Sequence, residues 1–190
     1  MLFNTLANLR VLIGLDAERA QTMLDHLIAF LRATLNASRV ERHALSTEFA
    51  RVTEYLSLMG YRMGPRLQTR LDLPVDLEQA AVPPLILQPL VENAIRHGLE
   101  PKVAPGRIEV TAEQVLTAGS ARLRLTVRDT GVGLHAPPAH PDSTRFGLEQ
   151  VRARLRTLYG DSADMKLLAC EDAEGGALAV IELPLTPWQP

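Results

Sequence analysis

Apolar residues recur at helical spacing through the first third of the chain: Leu2, Leu6, Leu9 and Leu12, then Met23, Leu24, Leu27, Leu31 and Leu35. Gly14-Leu15-Asp16 interrupts the run, and Asp16 is placed to cap a second segment through its side-chain oxygen. The pattern predicts a long helix with a break. A further amphipathic helix carries Phe49, Val52, Leu56 and Met59, follows a cap at Ser46 and ends at Gly64-Pro65. Two helices on a short connector cannot bury both apolar stripes alone, which predicts dimerisation into a four-helix bundle.

Beyond Pro65 the period changes. Leu67, Thr69, Leu71 and Leu73 alternate as in a strand, as do Ile108, Val110 and Ala112, and again Leu123, Leu125 and Val127. Thr117-Ala118-Gly119-Ser120 separates the last two sets and predicts an antiparallel hairpin. Met165 to Ala169 and Ala177 to Leu183 read as two more strands around a turn at Gly175-Gly176, with helices expected at about Pro84 to Gly98 and Gly147 to Tyr159. The fold class is α+β: helices packed on one face of a sheet as an α/β sandwich, behind a helical hairpin. The expected division is 1–65 and 66–190. His135-Ala136-Pro137-Pro138-Ala139-His140-Pro141 is a loop whose prolines prevent regular structure.

Composition narrows the function. A length of 190 residues allows one ordinary domain or two small ones. A net charge of -2 supplies no global positive field for a phosphate backbone, and 4% aromatic residues leave few faces for stacking bases, so nucleic acid is an unexpected partner. Cys170 is alone, which excludes an internal disulfide or a Cys-rich metal site and fits a reducing compartment. No run of about 18 apolar residues is present to span a bilayer. The basic residues are almost all arginine, the exceptions being Lys102 and Lys166.

Three segments carry candidate chemistry. On the helix Pro84 to Gly98, Leu87, Leu90, Val91, Ala94 and Ile95 make an apolar side, while Asn93, Arg96 and His97 share the other at i, i+3 and i+4. An asparagine oxygen is a hard neutral ligand suited to Mg²⁺, and an arginine one turn on can neutralise phosphate oxygens. A solvated polar face is the plainer reading of this helix alone. Next, Arg128-Asp129-Thr130-Gly131-Val132-Gly133-Leu134 ends a strand: the carboxylate can accept from an exocyclic amine such as that of adenine, and the glycines allow close backbone approach. Aspartate and glycine are also ordinary turn residues. Last, Ser143-Thr144-Arg145-Phe146-Gly147-Leu148 opens a helix, whose N–H groups could receive a phosphate tail, although a loop followed by a glycine-started helix fits this segment equally well.

Taken in order, these segments resemble the nucleotide-binding domain of sensor histidine kinases, which shares its fold with gyrase, Hsp90 and MutL ATPases. Leu87 to Gly98 is similar to the N box of the LytS/YehU-like branch, Asp129 to Leu134 to the first glycine box, and Phe146-Gly147-Leu148 with Arg154-Leu155 to the second. Leu2-Phe3-Asn4-Thr5-Leu6 resembles the segment after the phosphoacceptor histidine, and Tyr55-Leu56 and Tyr61-Arg62 resemble positions on the branch's second helix. The resemblance implies that Asn93 coordinates Mg²⁺, that Asp129 receives the adenine amino group, and that Gly131 and Gly133 line the base. Arg96 and His97 would lie along the nucleotide, with Leu134, Thr144, Arg145, Phe146, Gly147 and Leu148 completing the ATP site. Glu92 could orient water or the attacking group, although a solvated helix residue is the safer reading. The implied partners are a response regulator and a second copy of the chain, joined through the N-terminal helices. The implied location is cytoplasmic, with membrane attachment only through an upstream sensor region of an inner-membrane protein.

The resemblance also sets expectations where the chain departs from the family. The phosphoacceptor histidine would fall immediately before Met1, so the chain is expected to bind ATP without phosphorylating itself; His26 and His43 lie outside the motif. Ser143 and Arg145 stand where the branch has glycines, and Gln150 where it has Asn. Two rival readings fit the same residues. One is a same-fold ATPase using Glu92 to activate water. The other is a non-catalytic dimeric scaffold with a degenerate nucleotide site.

Overall fold

The computed structural model describes residues 41–117, 119–134 and 144–188, the last from 147 onward with side chains, and positions 9–11, 13–16, 20, 21, 24 and 28. The described N-terminal positions are helical except Asp16, whose carbonyl accepts from the Ala20 N–H at 3.0 Å, so the expected break falls there. The proline-rich loop from His135 to Pro141 and most of the first apolar stripe lie outside the described residues.

Strand β1 (His43–Ala44) leads into helix α1 (Leu45–Met63). Leu45, Phe49, Val52, Tyr55, Leu56, Leu58 and Met59 form its buried stripe. The expected cap at Ser46 is corrected: the helix starts one residue earlier, and the first-turn N–H groups of Leu45 and Ser46 donate to the carbonyls of Ala80 and Glu78 at 2.9 and 3.0 Å. Backbone acceptors from a later segment thus do what a serine oxygen was expected to do. The helix ends as expected at Gly64, which takes a positive φ of 59° before Pro65.

Strands β2 (Leu67–Asp72), β4 (Gly106–Thr117), β5 (Ser120–Asp129), β6 (Asp164–Ala169) and β7 (Ala177–Pro184) form one sheet in the order β2-β4-β5-β7-β6. Only β2 and β4 run parallel; the β4–β5 hairpin pairs Thr117 with Ser120 across the expected turn. Strand β3 (Ala81–Val82) pairs with β1 outside this sheet, a contact that two-residue strands do not advertise in sequence. Ile108, Val110, Ala112, Leu123, Leu125, Val127, Ala179, Ile181 and Leu183 point to one face and are buried in a core shared with α1 and the other helices. The opposite face carries ion pairs such as Arg124–Glu182 at 2.7 Å and Arg107–Glu109 at 3.0 Å. One dry and one wet face is the arrangement alternation predicts.

The remaining helices differ from expectation at their starts. Helix α2 (Gln88–Asn93) begins four residues after Pro84, because residues 84–87 form a turn with Leu85 at φ 60°. Pro89 fits its first turn, where a missing N–H costs nothing. It runs straight into a π-helical stretch, Ala94–Leu99, in which the Glu100 N–H donates to the Ile95 carbonyl at 2.8 Å. Helix α3 (Thr144–Tyr159) starts three residues before Gly147, and its Leu148, Val151 and Leu155 are buried in the shared core.

Candidate functional site

Asp129 ends β5 in the middle of the sheet, paired in register with Ile108 of β4 and Ala177 of β7. Only 3 % of the residue is exposed. Its Oδ1 accepts from the Gly131 N–H at 2.8 Å. Burial pushes the carboxyl up to about 6, against the lowering effect of the Gly131 and Ala177 N–H groups and the charges of Lys102 and Arg128. A carboxylate held so close to neutrality in a dry strand end is poised to gain from an external donor.

The π-helical turn delivers its end directly onto this group. A Cβ on Gly98 would lie 2.5 Å from Asp129 Oδ1, and one on Gly131 would lie 2.2 Å from the Gly98 carbonyl carbon. The Val132 N–H donates to the Gly98 carbonyl at 3.0 Å. Glycine at 131 is therefore demanded by the neighbouring helix end as well as by any flat ligand. Thr130 anchors the far side: its N–H donates to the Arg107 carbonyl at 3.0 Å, its Oγ1 accepts from the Arg107 N–H at 2.9 Å, and its carbonyl accepts from Lys102 Nζ. Gly133 takes φ 77°, and Val132 and Leu134 present apolar side chains to solvent at the lip.

Asn93 closes α2 and Arg96 and His97 follow on the π turn, so the structure brings all three to the helix that ends at Asp129. Asn93 Oδ1 is buried and accepts no hydrogen bond from the described residues. Such an acceptor fits a cation. Among the described residues no group of three or more His, Cys, Asp or Glu side chains is arranged to hold an ion. Glu92 corrects the expectation of a solvated side chain: it is half-buried, which raises its pKa, and it accepts from Gln88 Nε2 at 2.8 Å, which opposes the rise. Thr144, Arg145 and Phe146 form the first turn of α3, whose Gly147 faces Pro89 at the start of α2, and Leu148 is in the core.

Four residues at or behind the site were not singled out by sequence reasoning. They are Gly98 and Gly176, needed for close approach to Asp129, Thr130, and Glu48. Glu48 did leave a signal. It is a carboxylate inside the apolar stripe of α1, between Leu45 and Val52.

Residues 83–187 match the histidine kinase-, DNA gyrase B- and HSP90-like ATPase family. The chain belongs to that family. Its domain is an ATP-binding one, and residues 1–67 match the histidine kinase family. The sensor histidine kinase BtsS of Escherichia coli K12 is 32% identical over 170 residues, 90% of this chain and 29% of BtsS. The sensor histidine kinase/phosphatase LytS of Staphylococcus aureus Mu50 is 29% identical over 173 residues, covering 86% of this chain and 29% of LytS. The chain thus spans under a third of the curated relatives it matches. Among solved structures, the catalytic domain of histidine kinase ThkA superposes with a TM-score of 0.54 at 20% identity, covering 77% of this chain and 95% of ThkA's. The histidine kinase domain from the Erythrobacter litoralis blue-light activated kinase gives 0.52 at 18%, covering 87% and 74%. These likenesses share the fold of the family. No helix among the described residues is long and apolar enough to cross a membrane.

Proposed function

We propose that this chain is the catalytic core of a two-component sensor histidine kinase, with residues 1–65 as dimerisation and phosphotransfer helices and 66–190 as the ATP-binding domain. The observation that carries the reading is the junction of Gly98, Asp129 and Gly131, which sets a buried carboxylate acceptor against the end of the helical stretch that also carries the unsatisfied oxygen of Asn93. Asp129 accepts the adenine amino group, with Gly131, Gly133 and Leu134 beside the base. Arg96 and His97 lie along the nucleotide, and the first turn of α3, Thr144 to Phe146, lies toward its phosphates, with Leu148 anchoring that turn in the core. Asn93, whose Oδ1 has no hydrogen-bond donor among the described residues, would hold a Mg²⁺ ion, which would supply neutralisation of the charge developing on the transferring group. The bond from the γ-phosphorus to its bridging oxygen breaks, a bond to an imidazole nitrogen forms, and ADP leaves. In this reading Glu92, beside Asn93 and raised in pKa by partial burial, takes up the imidazole proton. The phosphoryl group then passes to an aspartate of a response regulator, and the full-length protein carries a membrane sensor upstream.

Titration calorimetry of the chain with ATP tests the site. Binding is expected to tighten when Mg²⁺ is added, and Asn93→Ala is expected to lower the affinity to that of the wild-type chain without Mg²⁺. Equal Mg²⁺ dependence in both proteins would move the metal elsewhere. Steady phosphate release abolished by Glu92→Gln would favour the ATPase reading instead.

A further inference from the structure

The segment that starts the nucleotide-site helix is bent into a conformation its sequence does not favour. Leu85 has φ 60°, and it is the sole non-glycine residue with positive φ among the described residues. Left-handed backbone costs an L-residue energy and persists where the surroundings over-determine it. The surroundings here come from two helices. From α1, Glu48 Oε1 accepts from the Leu85 N–H at 2.9 Å, and Oε2 accepts from the Ile86 and Leu87 N–H groups at 2.9 and 3.1 Å. From α3, Arg154 Nη1 donates to the Pro84 carbonyl.

Glu48 is itself fixed. The residue is 1 % exposed, with Arg51 Nη1 at 3.1 Å and His43 Nε2 at 3.0 Å from Oε1. Burial alone would raise its carboxyl, yet His43 and the backbone N–H groups hold it below the usual range, so it stands ionised. Farther along, α1 meets the end of the same helical stretch through the Arg62–Glu100 ion pair. Glu92 and Asn93 lie between these two attachments, five and six residues after Leu87.

We propose that Glu48 is a positioning residue for the nucleotide site: its carboxylate holds the Pro84–Leu87 turn in the left-handed form, which sets where α2 begins and where Asn93 stands. The argument rests on the reading of Asn93 as a nucleotide-site residue. Glutamine at 48 keeps the shape but turns one acceptor oxygen into a donor, so it loses either the Leu85 bond or the pair to Ile86 and Leu87. The chain at 85 would then relax and carry α2 with it. Glycine at 85 takes φ 60° without strain and so removes the need for a holder.

The test is calorimetric titration of the 190-residue chain and its variants with Mg-ATP. Glu48→Gln is expected to weaken binding about tenfold, the scale of one charge-assisted hydrogen bond. Leu85→Gly alone should bind as the wild type does, and adding it to Glu48→Gln should restore most of the lost affinity. A merely stabilising role for Glu48 predicts no such rescue, because the glycine supplies no contact. Wild-type affinity in Glu48→Gln, or a double variant as weak as Glu48→Gln, overturns the proposal. If circular dichroism shows Glu48→Gln unfolded, Arg154→Gln loosens the same turn from α3, and the same rescue by Leu85→Gly decides. A folded wild-type chain that does not bind Mg-ATP overturns the nucleotide reading itself, a distinct result.

Discussion

Gly176→Ala is expected to destabilise the protein by at least about 4 kcal/mol, beyond the range of ordinary substitutions, whereas Gly175→Ala, one residue earlier in the same turn, is expected to cost about 1–2 kcal/mol. Both glycines have positive φ, 63° at 175 and 96° at 176, so an alanine pays backbone strain at either. The difference is steric. A Cβ at 175 meets nothing within 4 Å, while one at 176 would lie 1.9 Å from the Asp129 carbonyl oxygen and 2.9 Å from the Thr130 Cα. Those neighbours are backbone, pinned by the β5–β7 ladder and by the Thr130 bonds to Arg107, so no side chain can swing away. For a chain of this size the losses correspond to a fall in Tm of roughly 2–8 °C for Gly175→Ala and roughly 10 °C or more for Gly176→Ala. Thermal melts of both variants read the contrast directly. Two variants that melt together would show that the turn can open without cost and that the close approach behind Asp129 is not a constraint.

That contrast also marks what the sequence could and could not reveal. Gly175-Gly176 is legible as a turn because glycine pairs between alternating apolar runs have few other uses, but which of the two faces a backbone depends on the partner strand. The strands were readable for the same reason: Ile108, Val110 and Ala112 or Leu123, Leu125 and Val127 alternate with polar residues, of which Glu109 and Arg124 end up in ion pairs on the wet face. The places of Asp129 and Asn93 in the fold were readable because each sits at the end of a periodic element. The start of α2 was not. Apolar spacing runs unbroken from Leu85 to Ile95, and the left-handed turn at Leu85 exists because Glu48 and Arg154, 37 residues before and 69 residues after it, hold its flanks. The π stretch is equally hidden, since its effect is to bring Gly98 against Asp129 and that need arises only once the sheet has formed. The cap at Ser46 failed for a related reason: local side-chain chemistry lost to carbonyls supplied by residues 78 and 80.

Asp129→Asn is expected to separate stability from binding by giving them opposite pH dependences. In the folded chain the carboxyl is raised to about 6, chiefly by burial, whereas an unfolded chain has it near about 4. A carboxyl raised on folding favours the folded state while it is protonated: its contribution is complete below about pH 4 and is lost as the pH climbs through about 6. Asparagine does not titrate, so the stability of the wild type minus that of Asp129→Asn should fall by about 3 kcal/mol between pH 4 and pH 7.5. Urea denaturation at the two pH values measures it, and a flat difference would mean that the Gly131 and Ala177 N–H groups already offset the burial. Binding should run the other way, because the ionised form is the stronger acceptor for an amine donor. Wild-type affinity for ATP is expected to rise from pH 5.5 to pH 7.5, and Asp129→Asn to lie about 10- to 100-fold below it at pH 7.5, the loss of one hydrogen bond to a charged group. An affinity that ignores both the pH and the substitution would take Asp129 out of the site. The expected crossing of the two trends has one cause: the desolvation that makes the charge at Asp129 costly to the fold is what an incoming donor relieves.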